Sequence, residues 1–407
     1  MAANLTRRGA LKAGAAAGIA TIVLDALAGC TNPATSGSTD PVVVEKDDAT
    51  KVIETFSEID LRISEGERWE LPLGSVLHPA EGVWIPALCT GDSADSTNKA
   101  CAMSSTSGML LDVVPEHISQ GTTWAIFDAR CSDQVFAWTE IDIIERNWVL
   151  YASQFADGAL AGEPVKLWEA DRLYDPPLVC CTGNQVLWLV MPNAKGELRT
   201  EHSFCYQWKV GESKANAVVE SPGRFATAPA ISGDTITLVP RVRADEGVYY
   251  GITAYSLTDN LRTIVDQLVL PVSVRPMNAV RIGETFVFSI EANYSSGGLL
   301  GQMGTYIGTG TGPFVMFERE PFAEVVGTQD EVYVIKSRSS YFVVDVPHKT
   351  YSILTAADHC VDYGEYPARE GETTSFVTFA TLKSRETGYP SSVVVRTFDL
   401  ASGLSGD

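Results

Sequence analysis

Histidine is scarce in this 407-residue chain, confined to His78, His117, His202, His348 and His359. None sits in an H-E-x-x-H pattern and no G-x-S-x-G occurs, so neither a helix-borne zinc site nor a nucleophile elbow is encoded. C-x-x-C is missing as well, which leaves no metal clamp of that kind. Basic residues are in deficit, 30 Lys and Arg against 51 Asp and Glu, for a net charge of −21. A surface this acidic excludes DNA or RNA as an obvious partner, because phosphate binding needs cations. Beyond the first thirty residues every apolar run is strand-sized, too short for a membrane-spanning helix.

What is present begins with an address. Thr6-Arg7-Arg8-Gly9-Ala10-Leu11-Lys12 resembles the twin-arginine export motif, with Arg7 and Arg8 as its paired arginines. A weakly apolar stretch, Ala13 to Leu24, follows; its twelve residues span only about 18 Å as a helix, short of a ~30 Å hydrocarbon core. The run ends in Leu27-Ala28-Gly29-Cys30, which resembles a bacterial lipobox. The resemblance implies cleavage between Gly29 and Cys30 and diacylglyceryl transfer to the Cys30 thiol. Residues 1–29 are thus expected to be a twin-arginine lipoprotein signal peptide, and the mature chain to sit lipid-anchored on the extracytoplasmic face of the cell membrane. Their removal takes away Arg7, Arg8, Lys12 and Asp25, leaving a net charge of about −23. Residues 30–57, small, polar and Pro/Gly-containing at their start, are expected to form a flexible linker.

Seven further cysteines remain: Cys89, Cys101, Cys131, Cys180, Cys181, Cys205 and Cys360. Export permits oxidation, and Cys89 with Cys101 is the candidate disulfide, closing one loop.

The body of the chain repeats. Cys180-Cys181-Thr182-Gly183, Ala230-Ile231-Ser232-Gly233 and Val280-Arg281-Ile282-Gly283 stand fifty residues apart, each followed by an apolar strand. Trp138, Trp188, Leu238 and Phe288 recur in the same register, with Asp133 where the glycine would stand in the earliest of these units. Weaker copies surround Gly82, Gly327 and Gly371. Each glycine is read as the turn between two strands, and each recurring apolar residue as core. Four short antiparallel strands per unit describe one β-propeller blade. The expectation is an all-β propeller over residues 58–407, of seven blades with four antiparallel strands each. The last unit ends soon after its third strand, so a stretch within residues 58–72 containing Trp69-Glu70-Leu71 is expected to close it. The pattern resembles the TolB-like and YVTN-like bacterial β-propellers and lacks the G-H…W-D signature of WD40 repeats.

Clusters with catalytic looks are few. His359-Cys360-Val361-Asp362 gathers a base, a thiol and an acid; Asp92, Asp95 and Asn98 offer oxygens in one loop. Gly308-Thr309-Gly310-Thr311-Gly312 precedes a strand rather than a helix, so it reads as an inter-strand loop and not a phosphate cradle. Arg130, Arg275 and Arg281 stand just before turns, near the channel mouth of a propeller. No catalytic residue, metal ligand or cofactor fingerprint stands out. The chain reads as a monomer, a non-enzymatic module binding a protein or small molecule. The alternative is a surface enzyme, a carbohydrate-active hydrolase or lyase, with paired carboxylates at the channel mouth.

Overall fold

The computed structural model describes residues 49–60, 65–90, 98–243, 245–291, 303–310, 312–338, 340–355 and 365–400. Arg7, Arg8, Gly29, Cys30, Asp92, Asp95, Cys360 and the rest of the His359–Asp362 cluster lie outside them. Among the described residues no helix is long and apolar enough to cross a membrane.

The described strands assemble into seven sheets, each built on antiparallel neighbours, with strands from distant parts of the chain added at the edges of the fifth, sixth and seventh. The third sheet shows the plan: Leu178–Thr182, Gln185–Val190, Ser203–Lys209 and Asn216–Ser221. Alternation along these strands leaves two apolar faces per sheet, and each face needs a partner. Each core cluster meets that need by bridging two sheets. Val135, Leu150 and Trp148 of the second sheet pack with Val179, Cys181 and Trp188 of the third. Leu71, Val377, Val393 and Val395 of the seventh pack with Leu77, Ile85 and Met103 of the first, which completes the circuit. The fold is an all-β β-propeller.

The recurring residues are core. Trp138, Trp188, Leu238 and Phe288 are each at most 1% exposed. Sequence reading missed their partners: Tyr151, Tyr206 and Tyr306 stand directly opposite Trp138, Trp188 and Phe288 on the third strand of each sheet. The ring pairs stack at 5.6, 5.7 and 5.3 Å, a geometry worth about 1 kcal/mol beyond the area it buries.

Gly183, Gly233 and Gly283 take positive φ (49°, 55° and 57°), as the turn reading requires. The same reading fails at Asp133, which is not among the positive-φ residues; its Oδ1 instead accepts the Trp84 amide of the first sheet at 3.1 Å. It fails again at Gly327, an extended strand residue, where Glu331 supplies the positive φ.

Closure follows expectation. Glu65–Pro72 pairs antiparallel with Pro390–Asp399, setting Trp69 opposite Val395 and Leu71 opposite Val393. The linker expected over 30–57 is too long. Ala49–Lys51 adds in parallel to Phe314–Phe317, Val52–Thr55 forms one helical turn, and Ser57–Glu58 adds to Thr350–Thr355. Val52 and Phe56 are buried in the core between the fifth and sixth sheets, and that apolar anchor draws residues 49–58 into the propeller.

The expected Cys89–Cys101 disulfide is not formed; both are free, buried thiols. Cys89 stands opposite Lys99 and Cys101 opposite Ala87, so the two are diagonal neighbours rather than directly facing. Cys89 Sγ lies 3.8 Å from Ser75 Oγ and Cys101 Sγ 3.4 Å from Asp112 Oδ1. A hydrogen bond between the thiols pulls Cys89 below its ordinary value and pushes Cys101 up.

Candidate channel-mouth site

In the seventh sheet the first strand, Glu365–Pro367, does not run straight into a turn. The chain crosses the channel as residues 368–373. Arg369 Nη1 donates to the Ala80 carbonyl at 2.6 Å and Nη2 to Ser105 Oγ at 3.2 Å, both on the first sheet. Gly371 pairs in parallel with Val326 of the sixth sheet. The Glu372 amide donates to Ser232 Oγ of the fourth sheet at 3.1 Å, while Gln329 Nε2 donates to Glu372 Oε1 at 2.6 Å. Gly371 was expected to be a turn glycine like Gly183. Its positive φ (69°) serves a close backbone approach instead, since a Cβ there would stand 2.2 Å from the Ile231 carbonyl.

Toward the ends where the inner strands begin, the channel opens into a cavity of about 450 Å³. Ser75 to Pro79 of the first sheet, Arg130 of the second, Phe322 to Glu324 before the sixth and Phe379 to Thr381 of the seventh line it. Ser75 to Pro79 surround the short inner strand Val76–Leu77, and Phe322 to Glu324 lie on the connection into Val326–Gly327. Arg130 reaches in from near the end of Trp124–Cys131, and Phe379 to Thr381 come from the second half of Ser375–Lys383.

The ionisable groups are held in unlike states. Arg130 Nη1 stands 2.7 Å from Asp128 Oδ1, and His78 Nε2 lies 3.7 Å from the same oxygen without a hydrogen-bond partner. Burial, then the Arg130 charge, drives His78 down to about 2, so the ring is neutral at every physiological pH. Burial raises Asp128 against the opposing pull of Arg130. Glu370, on the crossing segment, is pushed up to about 8 by burial and then by Glu324, with Arg130 opposing and Glu81 adding to the rise. Glu81 is itself raised by burial, and its Oε2 accepts the Thr182 hydroxyl at 3.0 Å. The site thus holds a neutral imidazole and one carboxylic acid that titrates near neutrality.

These shifts give stability opposite slopes with pH. The unfolded chain protonates His78 near pH 6.5 and the folded one only at about 2. His78 therefore contributes stability present above pH 6.5 and lost as pH falls toward 2. Glu370 holds its proton between 4.5 and about 8 when folded, so its contribution is lost as pH rises through that window. The stability difference between wild type and His78→Asn should narrow by about 2 kcal/mol from about pH 7 to about pH 5 in urea unfolding. A difference that does not move with pH would contradict the neutral, buried His78.

Of the three arginines expected near the mouth, only Arg130 lines the cavity. Arg275 donates to the Ala226 carbonyl, at 2.9 Å from Nη2, and Arg281 Nε stands 3.8 Å from Asp266. Glu140 is a fully buried structural acceptor, taking the Trp138 indole and the amides of Ile118 and Ser119. Gly308 ends the strand Gly304–Gly308 and Gly310 lies on its connection to Phe314–Phe317, an inter-strand position as the sequence implied. Asn98, the described member of the oxygen-rich loop, donates to the Ile126 carbonyl at 3.5 Å. His78, Asp128 and Glu370 were not anticipated. A histidine, an aspartate and a glutamate carry no local pattern, and only the ring brings them together.

Fold and site together define a β-propeller with a largely apolar cavity, carrying a few ionisable groups, at one end of its channel. No family model matches the chain, and no curated protein matches it. Among solved structures it is similar to prolyl oligopeptidase B from Galerina marginata, with TM-score 0.52 and 12% identity over 80% of this chain and 49% of that one. It is similar to puromycin hydrolase, with TM-score 0.50 and 11% identity over 85% of this chain and 56% of that one. A chain of the mitotic checkpoint complex gives TM-score 0.50 and 5% identity, covering 84% and 93%. The chain spans about half the length of the first two. At these identities the likeness is one of fold alone.

Proposed function

We propose that this chain is a membrane-anchored extracytoplasmic lipoprotein whose propeller, read as seven blades with one sheet to a blade, binds a ligand or protein at its channel mouth. The observation that carries the binding reading is the cavity itself. Apolar walls surround a few converging polar groups with displaced protonation behaviour, the usual composition of a ligand site. The lipobox at Leu27–Cys30 supports the anchor, and the twin-arginine motif supports export of an already folded domain. Palmitate labelling tests this: the wild type takes up label and Cys30→Ala takes up none, whereas equal labelling overturns the lipoprotein reading.

A surface enzyme remains the second reading, favoured by one observation. Glu370 and Glu324 interact while sitting in unlike environments, which is how acid and base roles are divided in carboxylate chemistry. A carbohydrate-active hydrolase or lyase would use Glu370 as the proton donor. Turnover of glycan substrates that disappears in Glu370→Gln supports it; an unchanged rate in that variant removes it.

A further inference from the structure

We infer that the channel-mouth cavity takes an organic cation, a protonated amine carrying a compact apolar group. This rests on the binding reading above and adds the chemistry of the ligand. The charges around the cavity leave one sign unmatched. Arg130 is held 2.7 Å from Asp128 and also donates to the Ala129 carbonyl at 3.0 Å, so this pair is electrically closed. His78 brings no charge, and its Nε2 lacks a hydrogen-bond partner. Glu324 remains, an exposed carboxylate in the cavity wall. No cation pairs with it among the described residues.

Carboxylates alone would not make a site, but the walls supply an independent argument. Val76 and Phe322 line the cavity yet stay 46% and 45% exposed, and Leu77, Pro79 and Phe379 continue the apolar surface. Large apolar side chains left this open at a concave mouth suit an apolar ligand body. The rings of Phe322 and Phe379 also favour an ammonium group over an anion, since aromatic faces attract cations. A metal ion fits less well: it needs several oxygens at close range, and among the described residues no three His, Cys, Asp or Glu side chains converge to hold one.

A proton and the ligand would then compete for the same negative potential. Glu370 is faced by Glu324 from the sixth sheet, Glu81 from the first, Arg130 from the second and the Cys180 thiol from the third. When Glu370 gives up its proton it adds negative charge beside the cavity-lining Glu324, and the cation is held more strongly.

Isothermal titration of the full chain tests this with benzylammonium against benzyl alcohol and benzoate. Benzylammonium should bind, the other two should not, and Glu324→Gln should weaken binding at least about tenfold. Raising pH from about 6.5 to about 8.5 should strengthen wild-type binding about tenfold, as the competent fraction grows, and leave Glu370→Gln unchanged. Thermal melts verify that each variant is folded, and the exposed position of Glu324 makes that variant the safer of the two. Binding of benzyl alcohol or benzoate as tight as that of the amine overturns the cation inference while leaving a ligand cavity. Binding of none of the three overturns both the inference and the small-molecule reading beneath it.

Discussion

A chain that begins at Leu73 is expected not to form the native ring, eluting as aggregate and showing no cooperative melt. The truncation removes Glu65–Pro72, the outer edge of the seventh sheet, whose other strands all come from residues 365–399, and with it the buried anchor Val52 and Phe56 between the fifth and sixth sheets. Without it the ten residues Pro390–Asp399 present an open row of backbone donors and acceptors, a template for pairing with another chain. Leu71, 3% exposed, leaves the cluster that joins the seventh sheet to the first. Arg396, 2% exposed, loses Glu65, whose Oε1 stands 3.7 Å from its Nε. Full burial of one leucine is worth about 2 kcal/mol, and the loss of one charged partner at a buried guanidinium adds to that. Together with the lost ladder bonds this approaches the ~5–15 kcal/mol that holds a whole domain together. Size-exclusion chromatography and calorimetry decide it; a monomer melting at the wild-type temperature would contradict the closure.

Gly371→Val carries the second large effect. At φ of 69° a side chain is strained, and its Cβ would stand 2.2 Å from the Ile231 carbonyl and 3.0 Å from Ser232 Cβ. Both neighbours belong to the inner strand of the fourth sheet, so neither is a flexible side-chain tip that can swing aside. The backbone strain alone costs about 1–3 kcal/mol, and displacing the crossing segment adds loss of the Glu372 amide bond to Ser232 and the Arg369 bond to Ala80. A total above about 4 kcal/mol is expected, which is exceptional for one substitution. Gly183→Ala is the internal control. Its φ is 49°, nothing lies within 4 Å of the added Cβ, and only the strain should register, about 1 kcal/mol. Equal costs at the two positions would show that the segment does not cross the channel as described.

The ring was legible because its units are local. A strand, a turn glycine and a second strand lie within about a dozen residues of one another, and fifty-residue spacing exposed Gly183, Gly233 and Gly283 as equivalents. Closure was legible by subtraction, since a final unit one strand short needs Trp69-Glu70-Leu71 from the other end. The crossing segment was not, because Gly371 falls at the turn position of its unit while its conformation answers to Ile231, far away in sequence. The parallel additions at Ala49–Lys51 and Ser57–Glu58 are short edge pairings, and two or three residues carry no period. The site was the least legible part. His78, Asp128 and Glu370 come from three different sheets or the segments joined to them, and what distinguishes them is desolvation, a property of the assembled channel rather than of any residue.

Hydrogen exchange read by mass spectrometry bears most directly on the claim that one closed ring, tied by its N-terminal strand and its crossing segment, builds the site. Amides of residues 65–72 and 371–373 should exchange as slowly as those of 375–383 and 390–399, and all four should lose protection together in denaturant. Exchange of 65–72 or 371–373 at the rate of an unstructured peptide, with the neighbouring strands still protected, would contradict it.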